Sequence, residues 1–352
     1  MGVGVYLAKR GLFLLITLAI ATYAVVVIAN QGGLIDNILI QEIRLAVSQE
    51  LANDPAFQRL PPEERMEIFN QTVQRRIHAR GLDQPFITKS FRQTFDALTL
   101  NLGQAQGTYG TGSLKLVTII MDRLPRTVLL FTTGTVAAAA LGIWIGLWMA
   151  RKALTTFDRG MTVFAVTTLV VPAWVFGIFF ILLLAFAFPI FPPGGFVSAP
   201  APQDPWGNFL DRMYHLALPL LTWVFATFGG WAYITRNLVL QIMDEDFVHA
   251  ARAKGLPESV VLNRYVLRAA SPPIVTSVAL ALIASWTGAI ITELVFNWPG
   301  LGRLFFEAIV NTDPPTIIAL TIIYAYLFVA TIFVLDVIYS LLDPRIRALG
   351  RR

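Results

Sequence analysis

The chain of 352 residues contains no cysteine and only three histidines, His78, His215 and His249, which lie far apart in the sequence. Disulfide bonds and thiolate metal sites are therefore excluded, and no histidine-based metal site is expected. Charged residues make up 14% of the chain, against about 25% in a typical soluble domain. Hydrophobic residues reach 56%. This balance indicates an integral membrane protein.

Motifs for catalysis and for nucleotide binding are also missing. The sequence contains no HExxH, no GxSxG and no paired intramembrane carboxylates, so no catalytic residues are predicted. It has no GxxxxGK[ST], so this chain does not itself bind nucleotide through a P-loop, and no cofactor is expected in it. The net charge of +5 is interpreted as anchoring on the cytoplasmic side of a membrane, and no nucleic-acid partner is expected.

Six apolar runs have about the 20 residues that a membrane-spanning helix needs. They lie at 11–30, 127–149, 161–188, 213–235, 274–296 and 316–342. The first is interpreted as a retained helix because no small-x-small cleavage site follows it. In the second run, Gly142 and Gly146 form a GxxxG pair that permits close helix packing. A secondary carrier would place ionisable groups deep in the spans, whereas the only acids here, Glu293 and Asp336, lie near span ends and are interpreted as caps or anchors.

The longest polar region, 31–126, follows the first run. Its first predicted helix has apolar residues at helical spacing after Pro61 and Pro62, and Gly81 follows as a stop signal. A second amphipathic run is formed by Ile87, Phe91, Phe95, Leu98 and Leu102. The region is predicted to be a small helical cap on one membrane face with a structural role; direct ligand contact is the alternative.

Lysines and arginines cluster on one side of the spans, at both chain ends and in the loops after the second and fourth runs. The positive-inside rule therefore places both termini in the cytoplasm and the cap outside. The predicted fold is an all-α integral membrane protein with six transmembrane helices, a cytoplasmic helix–turn–helix coupling segment and an extended extracytoplasmic helical segment after helix 1. The predicted divisions are 1–30, 31–126, 127–342 with the coupling segment at 241–273, and a basic cytoplasmic tail at 343–352.

The polar insert at 244–273 has the pattern of a helix, a tight turn and a second helix. Acids open its first helix and bases close it, which suits the helix dipole. Gly255 suits the left-handed residue that ends a helix, and Pro257 suits the first turn of the next. Residues at the spacing of one helical face are Phe247, Ala250, Ala251 and Lys254. Small side chains on that face allow another surface to approach closely; an ordinary cytoplasmic loop is the alternative.

A polytopic chain with helix-breaking residues and no energy source of its own suggests half of a pore that a separate partner drives. Path or gate positions are expected where a span can bend or expose backbone, at Pro172, Trp174, Pro219, Gly229 and Gly230. Plain helix packing explains each of them as well. Glu293 and Trp298 are expected near the outer mouth, where an interfacial aromatic is the alternative for Trp298.

The sequence HAARAKG at 249–255 resembles the cytoplasmic EAA signature of permease subunits of ATP-binding-cassette importers, and ARAKGL at 251–256 has the form typical of dipeptide and oligopeptide permeases. Further similar segments follow in the family's order: RLPRTVLL at 123–130, VPAW at 171–174, HLALP at 215–219, FNWPGLGRL at 296–304 and LLDPRIR at 341–347. The chain departs from the family at His249, where the signature has glutamate, and at Ala269, where asparagine is usual. The family's Pro-Gly-Asp-Pro after the first span is missing, and Gln31-Gly-Gly lies in its place.

The resemblance implies a second, similar permease subunit, two cytoplasmic ATPases that hold ATP and magnesium, and an external solute-binding protein, assembled in the cytoplasmic membrane of a bacterium or archaeon. It implies that one segment couples to the ATPase, through Phe247, His249, Ala250, Ala251, Arg252, Lys254, Gly255 and Leu256. Arg252 and Lys254 would pair with acids of the ATPase, or else are solvated positive-inside charges. The implied cargo is a peptide or similar small solute. The alternatives are a non-peptide solute, such as an oligosaccharide or a metal chelate, and a membrane scaffold without transport.

Overall fold

The computed structural model describes residues 3–31, 33–79, 81–107, 109–110 and 112–342, and every regular element among them is helical. The predicted basic tail at 343–352 lies outside the described residues. The helices before the second apolar run are α1 Val3–Asn30, α2 Leu34–Ala52, α3 Pro55–Gln58, α4 Pro62–Ala79 and α5 Phe86–Leu98. Those that follow are α6 Leu116–Arg151, α7 Thr156–Val170, α8 Ala173–Ile181, α9 Pro205–Met243, α10 Asp246–Ala253, α11 Glu258–Val260, α12 Leu267–Ala284, α13 Ile290–Val295, α14 Leu301–Val310 and α15 Pro314–Leu342.

Five stretches among the described residues are long and apolar enough to cross a membrane, and a bent pair of helices makes up to six. The five are Gly4–Asn30, Leu116–Arg151, Pro205–Met243, Glu258–Thr287 and Pro314–Ile338. An all-α integral membrane protein is thus confirmed. A count of six continuous helices is not.

The third apolar run does not form one continuous helix. Helix α7 ends at Val170, and α8 leaves it at an angle of 98°, with Pro172 between them at a φ of −59° and a ψ of 143°. Proline has no N–H to donate and forces the residue before it out of the helical region, which explains the break. A six-residue π-helix, Leu182–Ala187, extends α8.

Two other span boundaries differ from those predicted. Helix α9 runs unbroken for 39 residues and includes Pro219, which the sequence pattern had suggested as an interruption. The fifth span, predicted to reach 296, ends earlier in a short 3₁₀ turn, Ser285–Thr287. Gly288 follows with a φ of +67°, a left-handed conformation that ends the helix before α13 begins.

The described chain divides into two compact units. The first comprises Met1–Arg10, Ile120–Glu307 and Ala330–Arg352. A Cβ atom built on Gly142 would lie 2.4 Å from the backbone oxygen of Phe228. Helices α6 and α9 of this unit therefore pack closely at the predicted GxxxG pair, where glycine leaves the room for it. In the same unit Arg10 Nε donates to Asp336 Oδ2 at 2.6 Å, so Asp336 is anchored by an ion pair.

The second unit comprises Gly11–Ile119 and Ala308–Val329. Helix α4, which the sequence predicted with its stop at Gly81, packs on α2 through a small apolar core. Asp313, just before α15, is buried and accepts hydrogen bonds from Tyr109 Oη at 2.8 Å and from the backbone N–H of Gln106 at 3.0 Å. The Asp313 carboxylate thereby anchors the segment around Gln106 and Tyr109, which leads into α6.

Candidate functional site: a helical hairpin and a cavity between spans

The insert after α9 forms a helix, a tight turn and a second helical stretch, in which α11 is continued by a π-helix, Val261–Val266; we call it the hairpin. Helix α10 ends at Ala253, and Gly255 adopts a φ of +75° before Pro257 opens α11. A Cβ atom at Gly255 would meet no other atom within 4 Å. The glycine is therefore required by the backbone conformation and not by lack of space.

One side of α10 is buried within its own unit. Val248 and Ala251 pack with residues from the end of α9 and the start of α12, and Leu256 lies partly buried against the same cluster. Ala251, which was predicted on the docking face, is only 2% exposed and faces the core in this conformation. Its side chain packs α10 against the end of α9 and the start of α12.

The opposite side of α10 is open. Phe247 is 43% exposed, and His249, Ala250 and Lys254 are exposed with it. An exposed aromatic ring beside a small side chain gives a surface that a partner can approach closely. We call these four residues the hairpin face.

Arg252 bridges the turn instead of pointing away from it. Its Nη2 donates to Glu258 Oε1 at 2.9 Å, and its Nε donates to Glu258 Oε2 at 3.3 Å. This bond raises the pKa of Arg252 above its ordinary value. In this conformation the guanidinium of Arg252 is engaged with an acid of its own chain, so pairing with an acid of a partner would require this ion pair to open.

A buried ion pair between α7 and α9 was not predicted. Asp158, the acid in the first turn of α7, is 1% exposed and receives two hydrogen bonds from Arg236 of α9, the one from Nη2 at 2.6 Å. Thr155 caps the start of α7, and Arg236 lies near the end of α9, so each residue belongs to a local pattern of its own. Nothing in either pattern links two residues 78 positions apart.

A cavity of about 230 Å³ lies between spans of the first unit. Its lining residues come from α6, α9 and the end of the fifth span: Phe131, Thr135, Trp223, Thr227, Trp231, Ala281, Ala284, Ser285 and Gly288. The lining combines aromatic rings with three hydroxyl groups and carries no charge. Trp223 is held in place by an edge-on contact with Phe131 and by a 3.4 Å hydrogen bond from its Nε1 to Thr135 Oγ1.

The five residues expected at the path do not line this cavity. Gly229 and Gly230 face α7, where a Cβ atom at Gly229 would lie 3.0 Å from Ala165 Cα. Pro219 is buried inside α9, Pro172 is exposed at the bend before α8, and Trp174 is half-buried just after it. Gly229 and Gly230 therefore fit the alternative interpretation, in which they permit close helix packing.

Glu293 and Trp298, expected near the outer mouth, are both fully buried. Glu293 Oε1 accepts from Thr127 Oγ1 at 2.7 Å, and Oε2 accepts from the backbone N–H of Arg303 at 3.0 Å. Trp298 Nε1 donates to the backbone oxygen of Arg126 at 3.0 Å. Neither side chain is available to an external protein in this conformation; both fix the loop after α13 to α6.

Three relatives of this chain are described as permease proteins of peptide transport systems. The oligopeptide transport system permease protein AppB of Bacillus subtilis is 34% identical over 245 residues, which cover 68% of this chain and 76% of the relative. The dipeptide transport system permease protein DppB of Lactococcus lactis is 29% identical, covering 77% of this chain and 84% of the relative. The oligopeptide transport system permease protein OppB of Mycobacterium tuberculosis is 30% identical, covering 78% and 85%.

Residues 142–348 also match the family described as binding-protein-dependent transport system inner membrane component. The matched range contains the hairpin, its Gly255 turn and most of the spans around the cavity. It covers more than half of the chain. The protein is therefore a multi-pass inner-membrane permease component and belongs to the binding-protein-dependent transport family.

Proposed function

We propose that this chain forms half of the translocation path of an ATP-driven peptide importer and receives its mechanical input through the hairpin face. A second, similar permease subunit completes the path, two cytoplasmic ATPases bind ATP and magnesium, and an external binding protein delivers the solute. Peptides are proposed as the cargo because the relatives above are described as oligopeptide and dipeptide permeases. Both termini and the hairpin are placed in the cytoplasm, following the distribution of basic residues.

The hairpin carries this proposal. Its exposed side presents the hairpin face, and its buried side packs into the ends of α9 and α12 through Val248 and Ala251. A displacement of the hairpin face is therefore transmitted to both α9 and α12, because tightly packed side chains transmit displacement. Both of those spans line the cavity.

The cavity provides a suitable path surface for a peptide. Hydroxyl oxygens of Thr135, Thr227 and Ser285 can accept hydrogen bonds from N–H groups of a peptide backbone, while the tryptophans accommodate apolar side chains. The uncharged lining gives no preference for one sign of side-chain charge. Such a surface suits a solute whose backbone is constant and whose side chains vary.

The test is uptake by the complete transporter in proteoliposomes, with two substitutions at one position. Gly255→Arg places a bulky cation at an exposed turn, where a Cβ atom meets no other atom within 4 Å but the φ of +75° strains any residue other than glycine. We expect uptake and ATPase stimulation by the binding protein to be lost. Gly255→Ala carries the cost of the left-handed backbone, about 1 kcal/mol, without the bulk, and should retain most of the activity.

Gly160→Arg is the matched control, because Gly160 is also exposed and also has no atom within 4 Å of its Cβ position. It should transport like the unchanged protein. Normal coupling in Gly255→Arg would contradict the proposed docking site. Uptake of an oligosaccharide or a metal chelate in place of peptides would change the cargo and leave the coupling intact, and a non-transporting scaffold would show no dependence on the ATPases.

A further inference from the structure

Helix α5 has its polar and apolar sides reversed relative to a helix on a water-soluble domain. Buried residues on its inner side are polar or small: Lys89, Ser90, Thr94 and Ala97. The large residues on its outer side are apolar and exposed, namely Ile87 at 63%, Phe91 at 60% and Phe95 at 68%. In water each of these three side chains would forgo about 1.5–3 kcal/mol of burial.

The buried lysine of the inner side is paired within the second unit. The ammonium of Lys89, 6% exposed, forms an ion pair with Asp36 of α2. Thr94 Oγ1 donates to the backbone oxygen of Ser90 at 2.7 Å. The Lys89–Asp36 pair therefore holds the polar side of α5 against α2, and its apolar side is left facing outward.

Two contacts set the position of α5 along the spans. The ring of Phe91 stacks on Tyr23 of α1, with centroids 4.9 Å apart, and Tyr23 lies about 10 Å from the end of that helix at Asn30. Tyr326 Oη donates to the backbone oxygen of Leu98 at 2.7 Å, and Tyr326 lies about 18 Å along α15 from Pro314. A tyrosine side chain is much shorter than that second distance, so α5 lies beside the apolar parts of both spans and not beyond their ends.

The part of α1 next to α5 also presents an exposed apolar surface. Exposed apolar side chains continue along α1, among them Ile20 at 64% and Ile28 at 71%. Arg92 and Thr99 are exposed at one edge of the apolar side of α5. An apolar face with a polar edge is the pattern of a helix that lies in the interfacial region of a bilayer.

We infer that α5 is embedded in the bilayer, with Ile87, Phe91 and Phe95 in contact with lipid acyl chains. The region after the first span is then in part a membrane-embedded element, braced between α1 and α15, and not wholly a cap in water. Its buried Lys89–Asp36 pair holds the helix so that the phenylalanines face the lipid. This inference does not depend on what the protein transports.

The absence of cysteine from the chain allows single-cysteine labelling without background. Phe95→Cys is labelled with an environment-sensitive fluorophore, and the full-length chain is reconstituted in vesicles of phosphatidylcholine with and without brominated acyl chains. Ile20→Cys on the exposed side of α1 is the lipid-facing control, and Gln74→Cys on the exposed side of α4 is the control in water. Each variant must first elute as a single species in size-exclusion chromatography.

We expect brominated lipid to quench the label at position 95 as it quenches the label at 20, and to leave the label at 74 unchanged. A membrane-impermeant maleimide should react with Gln74→Cys and not with Phe95→Cys. Position 95 behaving like position 74 would overturn the inference. Protection from maleimide without quenching would also overturn it, since a protein surface and not lipid would then cover α5.

Discussion

The hydroxyl of Thr127 donates a 2.7 Å hydrogen bond to the buried carboxylate of Glu293 and accepts a 2.8 Å bond from the backbone N–H of Leu301. One side chain of α6 thus holds both α13 and the start of α14. Thr127→Val removes both bonds with little change in shape. We expect a loss of about 2–4 kcal/mol, because buried polar partners are left unsatisfied.

The measurement is the temperature at which the detergent-solubilised protein loses its monodisperse elution peak. Thr133→Val is the matched control, since the hydroxyl of Thr133 is exposed and donates only to backbone oxygens of its own helix. Its midpoint should stay near that of the unchanged protein. Equal midpoints for the two variants would show that the Thr127–Glu293 bond contributes nothing to stability.

Burial also shifts the pKa of the Glu293 carboxyl. Glu293 lies beyond the fifth candidate span, and burial raises its pKa from 4.5 to about 7, against the opposing hydrogen bonds from Thr127 and the backbone of Arg303 and Gly302. The folded state therefore holds a proton that the unfolded state releases between pH 4.5 and 7. Stability should fall as pH rises through this window and level off above it.

The matching variant is Glu293→Gln, which cannot titrate. Its midpoint temperature, followed from pH 5 to pH 8, should change less between pH 5 and 7 than that of the unchanged protein. The difference between the two curves isolates the contribution of this carboxyl from that of other groups. Parallel curves would contradict the assignment of a raised pKa to Glu293.

The ion pair between Asp158 and Arg236 should matter far more than an exposed one. Removing the carboxylate with Asp158→Ala leaves a partly buried guanidinium of α9 without its partner, at a cost of about 3–5 kcal/mol. Asp122→Ala breaks a more exposed pair with Arg126 and should cost less than about 1 kcal/mol. Membrane-inserted protein and midpoint temperature are measured for both, and comparable losses would contradict this ranking.

The close approach of α6 and α9 gives a steric prediction. Gly142→Val adds a Cβ atom 2.4 Å from the backbone oxygen of Phe228, and backbone cannot move aside as a flexible side chain can. We expect the helices to separate and the variant to be recovered poorly or as aggregate. Gly160→Val, where no atom lies within 4 Å, should be recovered normally, and normal recovery of both would argue against tight packing at Gly142.

Local signals in the sequence located several elements well. Gly255 was predicted to end a helix in a left-handed conformation and does so at a φ of +75°. Pro61 and Pro62 with Gly81 bounded α4 correctly. Such predictions succeed because a cap or a turn depends on residues within a few positions of each other.

Features that depend on tertiary packing were not predictable in the same way. Pro172 and Pro219 both lie in apolar runs, yet one separates helices bent by 98° and the other lies inside a continuous helix. Ala250 and Ala251 have the same side chain, but only Ala251 packs into the core. Which side of a short helix is buried is decided by its neighbours in space, and periodicity alone does not identify them.

The most direct test of the whole account is peptide uptake into proteoliposomes that contain this chain and its partner permease, with and without the two ATPases. Radiolabelled peptide bound to the external binding protein is supplied outside, and ATP is enclosed on the ATPase side. We expect accumulation only when the ATPases are present and able to hydrolyse ATP. Accumulation of peptide by the permeases alone would contradict the claim that ATP hydrolysis by the two ATPases drives transport through the hairpin.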